Sequence, residues 1–561
     1  MDFSKTYYPH FLNALDELGF CTLNLFDDKQ IAQLRQLYED RFGNSVGQGL
    51  HATHNSNPAE HALAVSGDIK AIVHETLQTV FPEFDYFIGH FMVKGAQSPD
   101  EFRLHQDWNI VDETKHKTYQ VWIPLQLTYP SNGGLFVVPG SHRFFGNYRS
   151  GSYDIPRIRY DENVRYASTD LMVPPGNAVI YHNALFHGSF PNRTDEARMA
   201  VIVNYTEKSA NTYYFHRNEE KHITDLYTID AAALVGDLPR LEKNESPSLS
   251  LAGQLPFSDI QNAEISSADV AEKYRSVFGN IPATQVKQLH IAANPELESR
   301  LNGEGYAVVD LLDEDDIKKF RHEYDSHFGQ LDRTPGRFTT LQHTDVSTRK
   351  QMHDFIVREI DAPMRKLFKD FVIPVSQFYT KKAHTSGDID LHADSSLLLN
   401  HQLEPHYAIW IPLLAVDADL GTLTVIPRSH LPKNVFFSGS LGGYHQPYMD
   451  WLRQLEVPLV LKAGQAVIFD NNLLHNSTAN RTDTDRVCFT FRMTHSASSY
   501  YSFVAKGEGS IDLWEEDFDY YMAADWDGDS KKSMGRYKGE MKHSRIHPEK
   551  NELQKILQSN V

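Results

Sequence analysis

Cysteine is scarce in this chain. Two occur in 561 residues, Cys21 and Cys488, which excludes a disulfide framework and points to a reducing compartment. Long apolar runs are missing as well, with no stretch of about 18 apolar residues to span a bilayer. The opening residues, Met1-Asp2-Phe3-Ser4-Lys5 and then Thr6-Tyr7-Tyr8-Pro9-His10, have neither the basic start nor the apolar segment of a secretory leader. Positive charge is in deficit: 54 Lys and Arg against 74 Asp and Glu give a net charge of −20 and a pI near 5.7. Phosphate backbones need concentrated Lys and Arg, so nucleic acid is excluded as the main partner. The expectation is a soluble, cytoplasmic protein that acts on a small molecule, without a nucleic-acid or membrane partner. Composition leaves the oligomeric state open. The length suffices for more than one domain, each with a core of its own.

What the chain does have is a repeat. Gly19 and Gly305 are 286 residues apart, as are Gly43 and Gly329. The offset is 287 for His105 and His392, and 288 for Pro139 and Pro427, His187 and His475, and Arg198 and Arg486. It returns to 287 for Tyr213 and Tyr500 and for Asp225 and Asp512. Biased composition alone would not hold such a register, so the chain reads as two copies of one domain. The expected division is a first domain over 1–240, a Ser-, Asn-, Pro- and Ala-rich linker over 241–284, and a second domain over 285–561 ending in a polar extension. Within that extension, Asp525-Trp526-Asp527-Gly528-Asp529 lacks the spacing and terminal Glu of a calcium loop and reads as a solvated loop.

Each copy opens with a helix. Asp27 and Gln30 have capping-box spacing, Ile31, Leu34, Tyr38 and Phe42 form one apolar face, and Gly43 suits the position after the last turn. The second copy repeats this with Asp313, Ile317, Phe320, Tyr324, Phe328 and Gly329. Short strands with Gly and Pro turns follow: 84–94 ending at Lys94, matched by a strand carrying Lys381; Tyr119–Leu125 and Tyr407–Leu413; Asn177–His182 and Gln465–Asp470; Arg198–Tyr205 and Arg486–Met493. Trp122 and Trp410 should face opposite to their Val and Ile neighbours. Mainly β structure with flanking helices is expected, as two tandem double-stranded β-helix (jelly-roll, cupin-like) domains. His51, His54 and His61 read as loop histidines, and His142 and His430, after Pro-x-Ser, as loop anchors.

The chemistry centres on Leu104-His105-Gln106-Asp107-Trp108. A His and an Asp two apart on a strand point to one face. With one more histidine from a distant strand they make the facial two-His, one-carboxylate set that holds Fe(II) and leaves positions open. His187 is the candidate, and His392, Asp394 and His475 repeat the arrangement. His-x-Asp alone is a weak signal. A third instance, His343-Thr344-Asp345, has no strand setting and no repeat partner and reads as a decoy. Each distal His is followed 11 residues later by an arginine, Arg198 or Arg486, and a guanidinium suits the far carboxylate of a chelating 2-oxo acid. A zinc hydrolase on the same ligands would give these arginines no role.

Both halves resemble the phytanoyl-CoA dioxygenase family of Fe(II)/2-oxoglutarate oxygenases. The resemblance is carried by 104–108, by Gly134-Leu135-Phe136-Val137-Val138-Pro139-Gly140-Ser141-His142, and by His187-Gly188-Ser189 through Arg198. In the second copy it is carried by His392-Ala393-Asp394, Thr424-Val425-Ile426-Pro427-Arg428-Ser429-His430, and His475-Asn476-Ser477 through Arg486. It implies Fe(II) on His105, Asp107 and His187 and on His392, Asp394 and His475. It implies 2-oxoglutarate on Arg198 and Arg486, helped by Ser189 and Ser477, with Trp122, Trp410, Lys94 and Lys381 at the cosubstrate pocket. O2 is the other cosubstrate. The reaction implied is oxidation of an unactivated C–H bond with decarboxylation of 2-oxoglutarate to succinate: hydroxylation, or desaturation or cyclisation. Related halogenases lack the carboxylate ligand, so Asp107 and Asp394 argue against halogenation. Alternatives are one catalytic copy beside a structural one, or a jelly roll that binds without turnover. The copies also differ, with His182 against Asp470 and Gln106 against Ala393. Such differences read either as drift or as two distinct substrate pockets serving successive oxidations.

Overall fold

The computed structural model describes residues 8–43, 49–55, 58–153, 155–241, 247–256, 265–329, 336–385, 389–432, 443, 445–506, 509–518, 520–523, 535–542 and 550–558. The chain divides into two units, Met1–Gln288 and Leu289–Val561. The expected loop at 525–529 lies outside the described residues.

In the first unit the larger sheet runs Phe20–Asn24, Asn177–His182, Thr118–Pro124, Arg198–Glu207, Phe84–Lys94, Leu50–Ala52, every neighbouring pair antiparallel. The smaller sheet runs Phe102–His105, His187–Ser189, Leu135–Val137, Thr169–Asp170. These two sheets are the walls of a jelly roll. Side-chain alternation sorts each strand of the larger sheet. Tyr119, Val121, Ile123, Val201, Val203 and Tyr205 pack outward on Ile31, Leu34, Tyr38, Val65, Ile69, Val73 and Leu77 of the helices Asp28–Phe42 and Ala59–Val80. Each such side chain buried contributes roughly 1.5–3 kcal/mol. Gln120, Trp122, Arg198, Ile202 and Asn204 take the inward positions and line a cavity, so Trp122 does face away from Val121 and Ile123.

The first helix starts as its sequence dictates. Asp27 accepts from the Gln30 amide at 2.8 Å while the Gln30 side chain accepts from the Asp27 amide at 3.2 Å. Gly43 ends it at φ 76°, whereas its counterpart Gly329 stays right-handed at φ −57°. The helix Ala59–Val80 was not expected from sequence. The decoy Asp345 is the N-cap of its counterpart, Val346–Arg365, accepting from the Ser347 and Thr348 amides.

The second unit repeats the plan. Its larger sheet runs Tyr306–Asp310, Gln465–Asp470, His406–Pro412, Arg486–His495, Phe371–Lys381, Arg337–Thr339, and its smaller sheet Ile389–His392, His475–Ser477, Leu423–Val425, Val457–Pro458. Phe320, Tyr324, Phe328, Phe355, Ile356 and Ile360 cover the larger sheet. Both cysteines are free and buried.

Two expectations about boundaries need correction. In the stretch expected as a linker, Leu251–Pro256 pairs with Ile223–Thr228, the middle strand of a small sheet with Tyr213–Asn218. Ser267–Phe278 then packs Val270, Ala271 and Tyr274 against Leu104, Phe136 and Phe186 on the outside of the smaller sheet. In the second unit, Arg536–Lys542, expected in a surface extension, pairs with Ser510–Glu516 beside Tyr500–Ala505 in the same way, and Lys538 is buried against Glu515 at 3.0 Å. Both segments are closing strands of the repeat.

The glycines that announced the repeat have a steric reason. Gly19 and Gly305 sit at φ 78° and 83°. A Cβ there would lie 2.4 Å from Nδ1 of His142 or His430. Those histidines anchor the loop through Nε2 to the carbonyls of Asp16 (3.2 Å) and Asn302 (3.1 Å). Replacing Gly19 by Ala should cost about 1–3 kcal/mol through clash and left-handed strain. Gly236→Ala, in the helix Ala231–Leu241 with open space around it, should gain about 0.5–1 kcal/mol. Urea unfolding midpoints of the two variants check the opposite signs.

Candidate functional site

The first site is built on a strand pair. His105 stands directly across from His187 in the smaller sheet, with an irregularity between Phe102 and His105 that re-aims the end of the strand. The ring centroids are 4.5 Å apart. Nδ1–H of His105 donates to the Arg103 carbonyl at 2.7 Å, and Nδ1–H of His187 to the Leu185 carbonyl at 2.9 Å. Each bond fixes a ring and leaves Nε2 as the free lone pair, the arrangement a metal needs. Asp107 is placed by its amide on the Asn183 carbonyl (2.9 Å) and by Arg149 Nε on its own carbonyl (2.7 Å). Arg149 is itself held bidentately by Glu113. The carboxylate turns Oδ1 to His105 Nε2 (3.9 Å) and Oδ2 to His187 Nε2 (3.7 Å). Oδ2 is buried and accepts no hydrogen bond.

The second site has the same frame. His392 pairs with His475 at a centroid distance of 4.3 Å. Their Nδ1 atoms donate to the carbonyls of Asp390 (2.7 Å) and Leu473 (2.9 Å). Asp394 Oδ2, buried and without a hydrogen bond, lies 3.8 Å from His475 Nε2. Among the described residues, the groups of His, Cys, Asp and Glu able to share one ion are these two triads, with ligand atoms within 4.8 Å of one another. His51 and His61 join neither. Burial, and then the neighbouring imidazole, push His105 well below its ordinary pKa and His475 down to about 4, so both are neutral and able to bind a metal. Burial would raise the Asp394 carboxyl, but the Arg492 guanidinium and the nearby imidazoles outweigh it and hold it below its ordinary value.

Beside each triad is a buried arginine. No described carboxylate lies within ion-pair distance of Arg198 or Arg486, and Nε of each has no hydrogen bond. Arg198 Nη1 donates to the Met92 carbonyl at 3.2 Å, and its guanidinium lies over Trp122. Arg486 Nη1 donates to Gly421 at 2.6 Å beneath Trp410 and Tyr379. Burial alone lowers Arg198 to about 10. A buried cation without its counter-ion is costly unless a ligand supplies one.

Ser189 and Ser477 lie on the distal-His strands. Lys94 does not line the cavity; its Nζ donates to Ser189 Oγ (2.8 Å) and to the carbonyls of Ser189 (3.3 Å) and Phe190 (2.6 Å). Lys381 repeats this on Ser477 and Thr478. Both lysines brace the serines from behind. Burial, then Arg198, pull Lys94 down to about 6.

In the first unit one cavity of about 320 Å³ takes in the triad, Ser189, Arg198 and Trp122. Its remaining walls include His54, His90, Gln120, Asn183 and Asn204 among Phe87, Ile88, Trp108 and Leu234. Of those polar residues sequence reasoning named His54 alone, and read it as a loop histidine. The only signal was polarity at inward positions of otherwise apolar strands. The His182 and Asp470 difference is structural, since each accepts the amide two residues on, that of Ala184 or Asn472. If Arg198 awaits an anionic ligand, Arg198→Met should leave the ligand-free protein within about 1 kcal/mol of the parent or make it more stable. A loss of about 3–5 kcal/mol in urea unfolding would mean that the arginine is a structural partner instead.

Comparison with known proteins agrees with this frame. Residues 28–200 and again 301–488 match the profile described as Phytanoyl-CoA dioxygenase (PhyH). The chain is 28% identical over 141 residues to phytanoyl-CoA dioxygenase domain-containing protein 1 of Danio rerio, 23% of this chain and 47% of that protein. It is 28% identical over 113 residues to a probable alpha-ketoglutarate-dependent hypophosphite dioxygenase of Stutzerimonas stutzeri, 19% and 40% of the two. The chain thus spans about half the length of the curated relatives it matches. Among solved structures it is similar to EvdO2 of Micromonospora carbonacea var. aurantiaca complexed with 2-oxoglutarate (17% identity, 35% of this chain, 89% of that one, TM-score 0.25). It is similar also to the carbocyclase SnoK from nogalamycin biosynthesis (16%, 45%, 95%, TM-score 0.30). At these scores the likeness says nothing about substrate or reaction. The two profile matches cover most of the chain and contain both triads, and the chain belongs to the phytanoyl-CoA dioxygenase family as a tandem duplication.

Proposed function

We propose that this protein is an Fe(II)- and 2-oxoglutarate-dependent dioxygenase that oxidises an unactivated C–H bond of a small metabolite. The observation that carries this reading is the shared cavity of the first unit. Two oriented imidazoles and a carboxylate with an orphaned oxygen stand in it together with a buried arginine that has no acidic partner. The donor set suits iron(II), and the arginine suits the carboxylate of a 2-oxo acid. Bound iron with 2-oxoglutarate and O2 would supply the oxidising power for C–H cleavage.

The chain's own residues do the rest. His105, Asp107 and His187 hold the metal. Arg198 and Ser189 orient the far carboxylate, and Lys94 keeps Ser189 in place. Trp122 backs the guanidinium. Phe87, Ile88, Trp108 and Leu234 shield the cavity from water, and the amides of Gln120, Asn183 and Asn204 offer polar contacts to the substrate. In the second unit His392, Asp394, His475, Arg486, Ser477, Trp410 and Lys381 stand in the corresponding roles. Hydroxylation is the simplest outcome, with desaturation or cyclisation as further ones. No described helix is long and apolar enough to cross a membrane.

Anaerobic titration with Fe(II) and 2-oxoglutarate, followed through the visible charge-transfer absorption of the bound pair, tests the reading. Wild type should develop the band and His105→Ala should lose the first unit's share of it. A wild type with no band would leave a binding protein in place of an oxygenase.

A proton linkage is also expected. A carboxylate held by Arg198 and Ser189 would lie near Lys94, on the other side of Ser189, and raise its pKa from about 6. Between pH 6 and that raised value, 2-oxoglutarate binding therefore takes up a proton, whereas below pH 6 the lysine is already charged and uptake vanishes. Calorimetry at pH 7 in buffers of different ionisation heat reads this. A buffer-independent enthalpy would show that the three acceptors around Nζ already hold the ammonium form.

A further inference from the structure

The two metal centres share a frame and differ in where a cation sits: in the first unit Arg157 lines the cavity near His105 without pairing with Asp107, and in the second a guanidinium sits on the ligand carboxylate itself. In the second unit Arg492 Nη2 lies 2.6 Å from Asp394 Oδ1, with both side chains nearly buried. The corresponding residue of the first unit is the uncharged Asn204, and no described Lys or Arg side chain comes within ion-pair distance of the Asp107 carboxylate. The carboxylates are turned accordingly. Asp107 directs Oδ1 to His105, whereas Asp394 directs Oδ1 to Arg492. Space for the guanidinium comes from the neighbouring strand. Arg492 stands directly across from Ala408, while Asn204 stands across from Gln120. Two linked differences, a small residue on one strand and a long cation on the next, thus bring a positive charge onto a metal-ligating oxygen.

We propose that Arg492 makes the second centre the weaker of the two metal sites, so that the protein holds one tight and one weak metal ion instead of two equivalent ones. This rests on the metal-centre reading above. A divalent cation at the second triad would share its only carboxylate with a guanidinium and sit close to that positive charge. Even with strong dielectric screening, this repulsion lowers affinity by about tenfold or more. Arg492 is a positioning residue here: it acts through Asp394.

The test uses Mn(II) alone and titration calorimetry on the full chain, with thermal melts to establish that each variant folds. His392→Ala leaves only the first centre and His105→Ala only the second. The expected result is one Mn(II) per chain in each, bound at least about tenfold more weakly by His105→Ala. Adding Arg492→Asn to His105→Ala should bring its affinity to within about threefold of the first centre. Adding Asn204→Arg together with Gln120→Ala, which opens the space Ala408 leaves in the second unit, to His392→Ala should weaken that centre, and it carries the test if the Arg492 variant does not fold. Equal affinities of the two centres, or a folded Arg492→Asn variant whose affinity does not change, overturn the proposal while leaving the oxygenase reading intact. No Mn(II) binding at either centre overturns both.

Discussion

The pairing of two very short strands governs each centre. His105 opposite His187, and His392 opposite His475, are adjacent because antiparallel register puts them there. All four imidazoles are then locked in the same way, by Nδ1–H donating to the carbonyl two residues earlier in the chain. The backbone alone sets tautomer and orientation, so neither centre needs a dedicated side chain behind its histidines. The larger sheet can then be specialised on its inward face without disturbing the ligands, while its outward face is committed to the helices.

Much of this was legible in the sequence. His105 and Asp107 come together as their spacing suggested, but not by strand alternation: the strand ends at His105, and Asp107 is held in the loop beyond it by Asn183 and Arg149. The distal histidine and arginine followed from their fixed spacing in both copies. Trp122 was expected to face opposite to Val121 and Ile123, and it does, on the inner face. Other features were hidden for physical reasons. Val65, Ile69, Val73 and Leu77 have helical spacing, but the His- and Asn-rich stretch before them drew attention to loops. Leu251–Pro256 is a mostly exposed strand without the β-branched residues that signal one. Arg492 carries no motif. It could have been found only by asking where two copies that agree at every ligand disagree at a neighbouring inward position, and whether a residue on the adjacent strand changes with it.

The differences between copies therefore fall into two kinds. His182 and Asp470 are chemically unlike and do one job, receiving an amide in the turn before the distal histidine. Asn204 and Arg492 occupy equivalent positions and do different ones. Substitution type is a poor guide to which kind is which, and the hydrogen-bond partner is a better one.

The closing strand of the small sheet bears on how the gene could be divided. Ending a first-half polypeptide at residue 240, where the motifs run out, would remove Leu251–Pro256 from its sheet edge and strip Ser267–Phe278 from the apolar outer surface of Leu104, Phe136 and Phe186, the wall that carries His105 and His187. A half that is to stand alone has to extend to Gln288. The unit that repeats in this chain, closing strand included, is accordingly longer than the stretch by which its family is recognised.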